Sequence, residues 1–133
     1  MEERIYDFLI SCHRVFYLAT AEDNCPDLRP FGAVIMHDKH TVFCTGSNKR
    51  VYRQMLQNPN ICICACYKGS KWLRIKGKAL FFVDDGAKKK MLALEDRLRH
   101  KYGENGDGLV LFRITDGCAV FSERGKDDEI LTF

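Results

Sequence analysis

Alternation of apolar and polar residues is the main pattern along this chain, and it predicts a protein built mainly of β-strands. Neighbouring side chains of a strand point to opposite faces, so every second residue is apolar when one face is buried. Turn-forming residues, chiefly glycine, asparagine, aspartate and proline, separate the alternating segments. The predicted strands cover residues 15–20, 28–36, 41–45, 61–67, 71–83 and 109–122.

Other segments have helical spacing instead. Apolar residues recur three or four positions apart in residues 3–13 and 49–57, and a longer helix is predicted from Asp84 to about Tyr102. After the first helix, the order β-β-β-α-β-β-α-β with short connections predicts a closed or nearly closed antiparallel β-barrel with peripheral helices. We expect one domain over residues 1–133.

Composition is that of a soluble globular protein and argues against several other classes. The chain has 46% hydrophobic and 29% charged residues and a net charge of +3, which is too small to indicate nucleic acid or an acidic membrane by itself. No apolar run is long enough to cross a bilayer, and the acidic first residues are not typical of a signal peptide. We therefore expect no membrane partner.

The seven cysteines, without a secretory signal, predict reduced thiols and a cytoplasmic location. Cys62, Cys64 and Cys66 alternate along one predicted strand and therefore share a face. Residues two apart on a strand are separated by ~6.6 Å, an awkward spacing for ligands of one zinc ion. We predict small buried apolar residues rather than metal ligands, and no metal site.

Residues 45–50, which read TGSNKR, have the composition of an anion site at the start of a helix. Free N–H groups at a helix start and the positive end of the helix dipole both attract anions. The alternative is that Ser47 or Asn48 caps the helix while Lys49 is solvated. Upstream, proline inside a strand is confined to edges or bulges, so we expect the strand ladder to open at Pro30. An open ladder beside Gly32 would let a ligand approach the backbone.

One face of the strand at 71–83 combines an aromatic residue with cations. Its members are Trp72, Arg74, Lys76 and Lys78. Three interpretations stay open: a solvated face, a surface for single-stranded nucleic acid through stacking and phosphate contacts, or a contact with a second subunit anchored by Trp72.

Two C-terminal features are predicted to lie on the surface. The basic residues of the long predicted helix are expected to face solvent; they are Lys88, Lys89, Lys90, Arg97, Arg99 and Lys101. The last four residues, ILTF at 130–133, are apolar and available to dock on a partner.

Four runs taken together resemble a known family. They are LRPFG at 28–32, TVFCTGSNK at 41–49, LQNPNI at 56–61 and WLRIKGKA at 72–79. Their order and spacing resemble the pyridoxamine 5′-phosphate oxidase-like FMN-binding split-barrel family, and within it the short general-stress and nitroimidazole-resistance (Nim-type) members. The resemblance covers residues 10–84. It implies a six-stranded antiparallel split barrel, a homodimer, and two FMN sites in grooves at the dimer interface.

The resemblance also assigns cofactor-binding residues. Arg29, Pro30 and Phe31 match the strand that runs along the flavin, and Thr45 matches a position near the ring system and ribityl chain. The segment that holds the FMN phosphate is matched by Ser47, Asn48 and Lys49. Trp72 and Arg74 match a strand near the interface.

The function implied is that of a small FMN-dependent oxidoreductase whose substrate is not specified. No residue is identified as a catalytic acid or base. The chain lacks the C-terminal Trp and Arg-Leu-x-Pro segment of full-length pyridoxamine phosphate oxidases, and Phe43-Cys44-Thr45 stands where Nim-type proteins often have a histidine. Vitamin B6 oxidation and nitroimidazole reduction are therefore not predicted. The alternatives are a non-catalytic flavin carrier or a single-strand nucleic-acid-binding β-barrel, and relatives of this fold use a deazaflavin or haem instead of FMN.

Overall fold

The computed structural model describes residues 1–133 and contains eight strands and four helices. The helices are α1 (Glu3–Ser11), α2 (Arg50–Gln57), α3 (Asp85–Leu94) and α4 (Asp96–Tyr102). The strands are β1 (Phe16–Glu22), β2 (Cys25–Phe31), β3 (Val34–His37), β4 (His40–Gly46), β5 (Asn60–Tyr67), β6 (Lys71–Phe82), β7 (Leu109–Glu123) and β8 (Glu129–Thr132). The predicted class, mainly β with peripheral helices, is confirmed.

All strands belong to one antiparallel sheet that closes on itself. The order is β2-β1-β5-β6-β7-β4-β3, and β8 pairs with β7 beside that path. β2 and β3 lie at the two ends of this order, yet only Gly32 and Ala33 separate them in the chain. Because consecutive Cα atoms are ~3.8 Å apart, the sheet must curl until its two edges adjoin. The result is a barrel with an open seam between β2 and β3.

The prediction of six strands is wrong in two places. The segment 28–36 was expected to be one strand, but it divides at Gly32 and Ala33 because the chain crosses from one edge of the sheet to the other there. The tail expected to dock on a partner forms β8 on β7 of its own chain.

Pro30 does not open the ladder, because β2 is an edge strand. The pairing of β1 with β2 continues through Pro30, which faces Tyr17, to the end of both strands. Pro26, Leu28 and Pro30 are every second residue of β2. The N–H of Leu28 donates to Oδ1 of Asp27 at 3.0 Å. The gap in the sheet lies two residues further along, at the seam.

Aromatic side chains fill the barrel. Phe16, Phe43 and Phe112 are fully buried, and the rings of Phe43 and Phe112 stack with their centroids 5.4 Å apart. Phe31 and Phe81 pack against Phe112 with centroid distances of 6.3 and 5.6 Å. Phe112 is therefore the residue at which the inner faces of several strands meet.

A second apolar cluster attaches α3 and α4 to the outside of β3 and β4. Ile35 and Val42 from the strands pack with Met91 from α3 and Leu98 from α4, and all four are buried. One continuous helix was predicted here, but the chain is extended at Glu95, with φ −146° and ψ 138°, so α4 takes its own direction.

A bulge interrupts the pairing of β6 with β7. The register shifts between Lys76 and Lys78, opposite Asp116, whose φ is +50°. A turn was predicted at residues 115–117, but the extra residue is accommodated inside a continuous strand, as in a β-bulge. Gly77 lies in this bulge with almost no space beside it.

The alternating cysteines of β5 point away from the core, contrary to the prediction that they are buried. Ile61, Ile63 and Ala65 fill the inner face, whereas Cys64 and Cys66 are exposed and Cys62 is half-buried. The period of two is correct, but both faces of β5 are apolar enough that the pattern alone does not identify the inner one. No helix of the structure has the length and apolar character needed to cross a membrane.

Candidate functional site

A cavity of about 150 Å³ opens at the barrel seam, where β2 ends, β4 ends and α2 begins. Five of the nine predicted cofactor-binding residues line it. They are Arg29, Pro30, Phe31, Thr45 and Lys49. These residues are up to 20 positions apart in sequence, and the curling of the sheet brings them together.

Arg29 forms one wall and is held in place by four partners. Its guanidinium donates to the carbonyl oxygen of Leu18 at 3.1 Å, to Thr20 at 2.9 Å and to Gln54 at 2.8 Å. It also pairs with Asp27 at 3.0 Å. Because Arg29 is neutralised and most of its donors are occupied, it shapes the wall rather than supplying a free charge.

The start of α2 has no side-chain cap. Its N-cap residue is Lys49, and no side chain accepts from the first turn. Neither Ser47 nor Asn48 is the cap that one interpretation expected; both are exposed, and Ser47 donates its N–H to the carbonyl oxygen of Gly108 at 2.8 Å. The first N–H groups of a helix lack intrahelical acceptors, so those of α2 remain available to an anion.

The remaining walls are uncharged. Thr45 is buried at the end of β4, and Cys44 beside it also lines the cavity. Burial raises the pKa of the Cys44 thiol to about 12. The thiol is therefore protonated at neutral pH and does not act as a nucleophile there.

Helix α4 contributes four residues that the sequence analysis assigned to solvent or left out. Arg97, Leu98, Lys101 and Tyr102 all line the cavity. Arg97 and Lys101 are exposed, as predicted for the basic residues of this helix, and both also border the cavity. Their spacing of four places them on one side of α4, next to the buried Leu98, and this pattern is visible in the sequence.

The cavity carries positive charge that no carboxylate balances. Arg29 and Arg97 pair with Asp27 and Glu95, whereas Lys49 and Lys101 form no salt bridge. The nearby Lys101 side chain lowers the pKa of Lys49, and burial and Arg97 lower it further. Two neighbouring ammonium groups without carboxylate partners favour an anionic ligand between them.

Trp72 and Arg74 lie elsewhere, on the outer face of the barrel. Arg74 stands in a row that crosses six strands, and Trp72 is half-buried two residues away on the same face. The row consists of Pro30, Tyr17, Cys64, Arg74, Val120 and Ile130. Tyr17 and Ile130 are 46% and 68% exposed. This outer row is a broad, largely apolar surface; Pro30 at its end also lines the cavity, whereas Trp72 and Arg74 do not.

Known proteins match the chain over most of its length. The sequence profile of the pyridoxamine 5′-phosphate oxidase family matches residues 1–118. A NimC/NimA family protein from Clostridium acetobutylicum shares 29% identity with a TM-score of 0.89, over 98% of this chain and 91% of that one. General Stress Protein 26 from Bacillus anthracis shares 19% identity with a TM-score of 0.79, over 100% of both chains.

A third structure has a similar fold. A pyridoxamine 5′-phosphate oxidase-related, FMN-binding protein from Nostoc punctiforme shares 14% identity with a TM-score of 0.66, over 98% of this chain and 95% of that one. At this identity it supports the split-barrel fold alone. No curated protein sequence matches the chain.

Proposed function

The chain belongs to the pyridoxamine 5′-phosphate oxidase family, and from this premise we propose that it is an FMN-binding flavoprotein that works as a small oxidoreductase. The observation that carries the proposal is the seam cavity, where Lys49 is a cation without a carboxylate partner beside the uncapped start of α2. A phosphomonoester carries a charge near −2 at neutral pH and accepts several hydrogen bonds, which matches these donors.

The residues of the cavity fit a phosphorylated flavin in chemistry as well as in charge. No aspartate, glutamate or histidine lines the cavity, so nothing there repels a phosphate. We assign Ser47, Asn48 and Lys49 to the phosphate, and Thr45 to the ribityl chain. Pro30 and Phe31 form the wall along the flavin, and Arg29 keeps that wall in position.

The flavin would supply hydride or electron transfer, and the protein residues bind and orient it. Thr45 and the α2 N–H groups offer hydrogen bonds at fixed positions, since both belong to regular elements. Cys44 presents a neutral thiol because of its raised pKa. The cavity lining contains no carboxylate or histidine, so we assign no catalytic acid or base.

We further propose that two copies of the chain complete the site. Ligand pockets usually measure about 300–1,000 Å³, and the cavity has half the lower value, which suits the phosphate end of FMN but not the whole molecule. The outer row, with exposed Tyr17 and Ile130, offers an apolar surface for a second copy. In such a dimer Trp72 and Arg74 would approach the flavin of the other subunit.

Light scattering should give a mass twice that of the 15.3 kDa chain. Tyr17→Glu places a charge in the outer row and should shift the mass towards that of one chain. Leu56→Glu is a matched control, because Leu56 is also exposed but lies on α2 outside the row. A wild-type monomer at micromolar concentration, or a dimer insensitive to Tyr17→Glu, contradicts this interface.

Purified protein should be yellow and release about one FMN per chain on denaturation. Lys49→Met should weaken FMN binding roughly 10- to 100-fold, since one charge-assisted contact contributes about 1.5–3 kcal/mol. Fluorescence titration of flavin-free protein measures this loss, and Lys89→Met on the exposed side of α3 is the control. A protein that is colourless and fails to bind added FMN, or that shows a haem spectrum, rejects FMN as the cofactor.

A further inference from the structure

Helix α4 places two cationic side chains at the cavity, and neither belongs to a recognised sequence motif. Arg97 and Lys101 both line the cavity, and Arg97 is paired with Glu95 at 2.9 Å while Lys101 has no carboxylate partner. Lys101 lies close enough to Lys49 to lower its pKa, although Lys101 belongs to α4 and Lys49 precedes α2. Like charges brought together by a fold cost free energy unless a ligand of opposite charge joins them.

A second contact brings α4 against the loop at 46–49. A Cβ on Gly46 would lie 2.8 Å from Oη of Tyr102 and 3.0 Å from Oδ1 of Asn48. The absence of a side chain at Gly46 therefore lets the Tyr102 hydroxyl approach the loop that leads into α2. Leu98, one turn earlier, is buried and anchors α4 on the same side.

We propose that α4 is the second half of the phosphate site, with Lys101 binding the same phosphomonoester dianion as Lys49 and Tyr102 holding α4 on the Gly46–Lys49 loop. This inference rests on the proposed function, because FMN is the phosphomonoester considered. It adds a binding residue and a basis for selectivity. The two unpaired lysines carry the charge that balances one dianion, so the pair distinguishes FMN from riboflavin, which has no phosphate.

The test compares three ligands on flavin-free protein: FMN, riboflavin and inorganic phosphate. Lys101→Met should weaken FMN binding roughly 10- to 100-fold and leave riboflavin binding unchanged, as expected for loss of one charge-assisted phosphate contact. Inorganic phosphate should raise the melting temperature of the wild type and have a smaller effect on Lys101→Met. Lys89→Met should behave as the wild type with all three ligands.

The outcomes separate this inference from the proposed function. If Lys49→Met weakens FMN binding but Lys101→Met does not, the role of α4 is wrong and the FMN site stands. If the wild type binds no flavin but is stabilised by inorganic phosphate through Lys101, the α4 site stands and the FMN proposal fails. If Lys101→Met weakens FMN and riboflavin equally, Lys101 does not contact the phosphate and the inference is overturned.

A measurement without a flavin tests the pairing of the two lysines. The pKa of Lys49 can be followed by NMR through its side-chain carbon next to the ammonium group. Lys101→Met should raise this pKa towards the ordinary lysine value, because the chief cause of its depression is removed. Inorganic phosphate should raise it in the wild type. A Lys49 pKa that responds to neither change shows that the two ammonium groups do not share a site, and overturns the inference.

Discussion

Phe112→Ala should lower the free energy of unfolding by about 3–5 kcal/mol, the range for emptying a large buried aromatic position. Phe112 has no exposed surface, stacks on Phe43 and contacts Phe81 and Phe31. The void left by the missing ring cannot collapse easily, because these neighbours come from different strands whose backbone pairing fixes their positions. Urea unfolding of flavin-free protein at one protein concentration measures the loss.

The same replacement should also weaken FMN binding, because Phe31 lines the seam cavity and packs on Phe112 from the other side. Phe112→Leu is the matched variant: it keeps most of the volume and should lose less than about 1.5 kcal/mol. If Phe112→Ala costs no more than Phe112→Leu, the ring cluster is not what supports the barrel.

Gly77→Ala should destabilise the protein by about 3 kcal/mol, although it adds one methyl group. The new Cβ would lie 2.4 Å from Cγ2 of Ile114, 2.9 Å from the carbonyl oxygen of Thr115 and 3.2 Å from Cα of Gly117. Two of these three atoms belong to backbone of β7, so the clash cannot be relieved by a side-chain rotation. The two strands must separate at the bulge.

Gly32→Ala is the control for this replacement. A Cβ at Gly32 would meet only the carbonyl oxygen of Arg14, at an ordinary 3.6 Å. Glycine to alanine at a compatible position stabilises by about 0.4–1 kcal/mol through the unfolded chain. Opposite signs for the two variants in thermal or urea unfolding are expected. Equal effects would show that the crowding at Gly77 is relieved by movement of β7.

The sequence was sufficient for the barrel and for much of one side of the cavity. Alternation and turn residues predict β1, β4, β5, β6 and β7 with small errors at their ends, because these strands have one face in the core. The candidate anion site at 45–50 is predicted from local chemistry, since a helix start with small residues and a lysine is informative without tertiary structure. Lys49 lies in the cavity, as that reasoning expects.

Features that depend on tertiary contacts could not be predicted in the same way. The break at Gly32 and Ala33 follows from closure of the sheet, and no local pattern marks it as more than a glycine in a strand. The inner face of β5 is ambiguous because cysteine, isoleucine and alanine are all apolar. Arg97 and Lys101 are exposed, as expected of a basic helix, but their position beside the cavity depends on how α4 packs on the barrel.

The free edge of β2 has a consequence for aggregation. The β1–β2 ladder continues without using N–H groups at Pro26, Leu28 or Pro30. The backbone groups of these alternate residues therefore point away from β1, towards the free edge of the sheet. Two of them are prolines without an N–H, and the third donates to Asp27. A strand from another molecule would therefore meet acceptors but no donors along this edge, and could form only half of a β-ladder. The β2 side of the open seam is thus chemically protected against growth of the sheet from one barrel into the next.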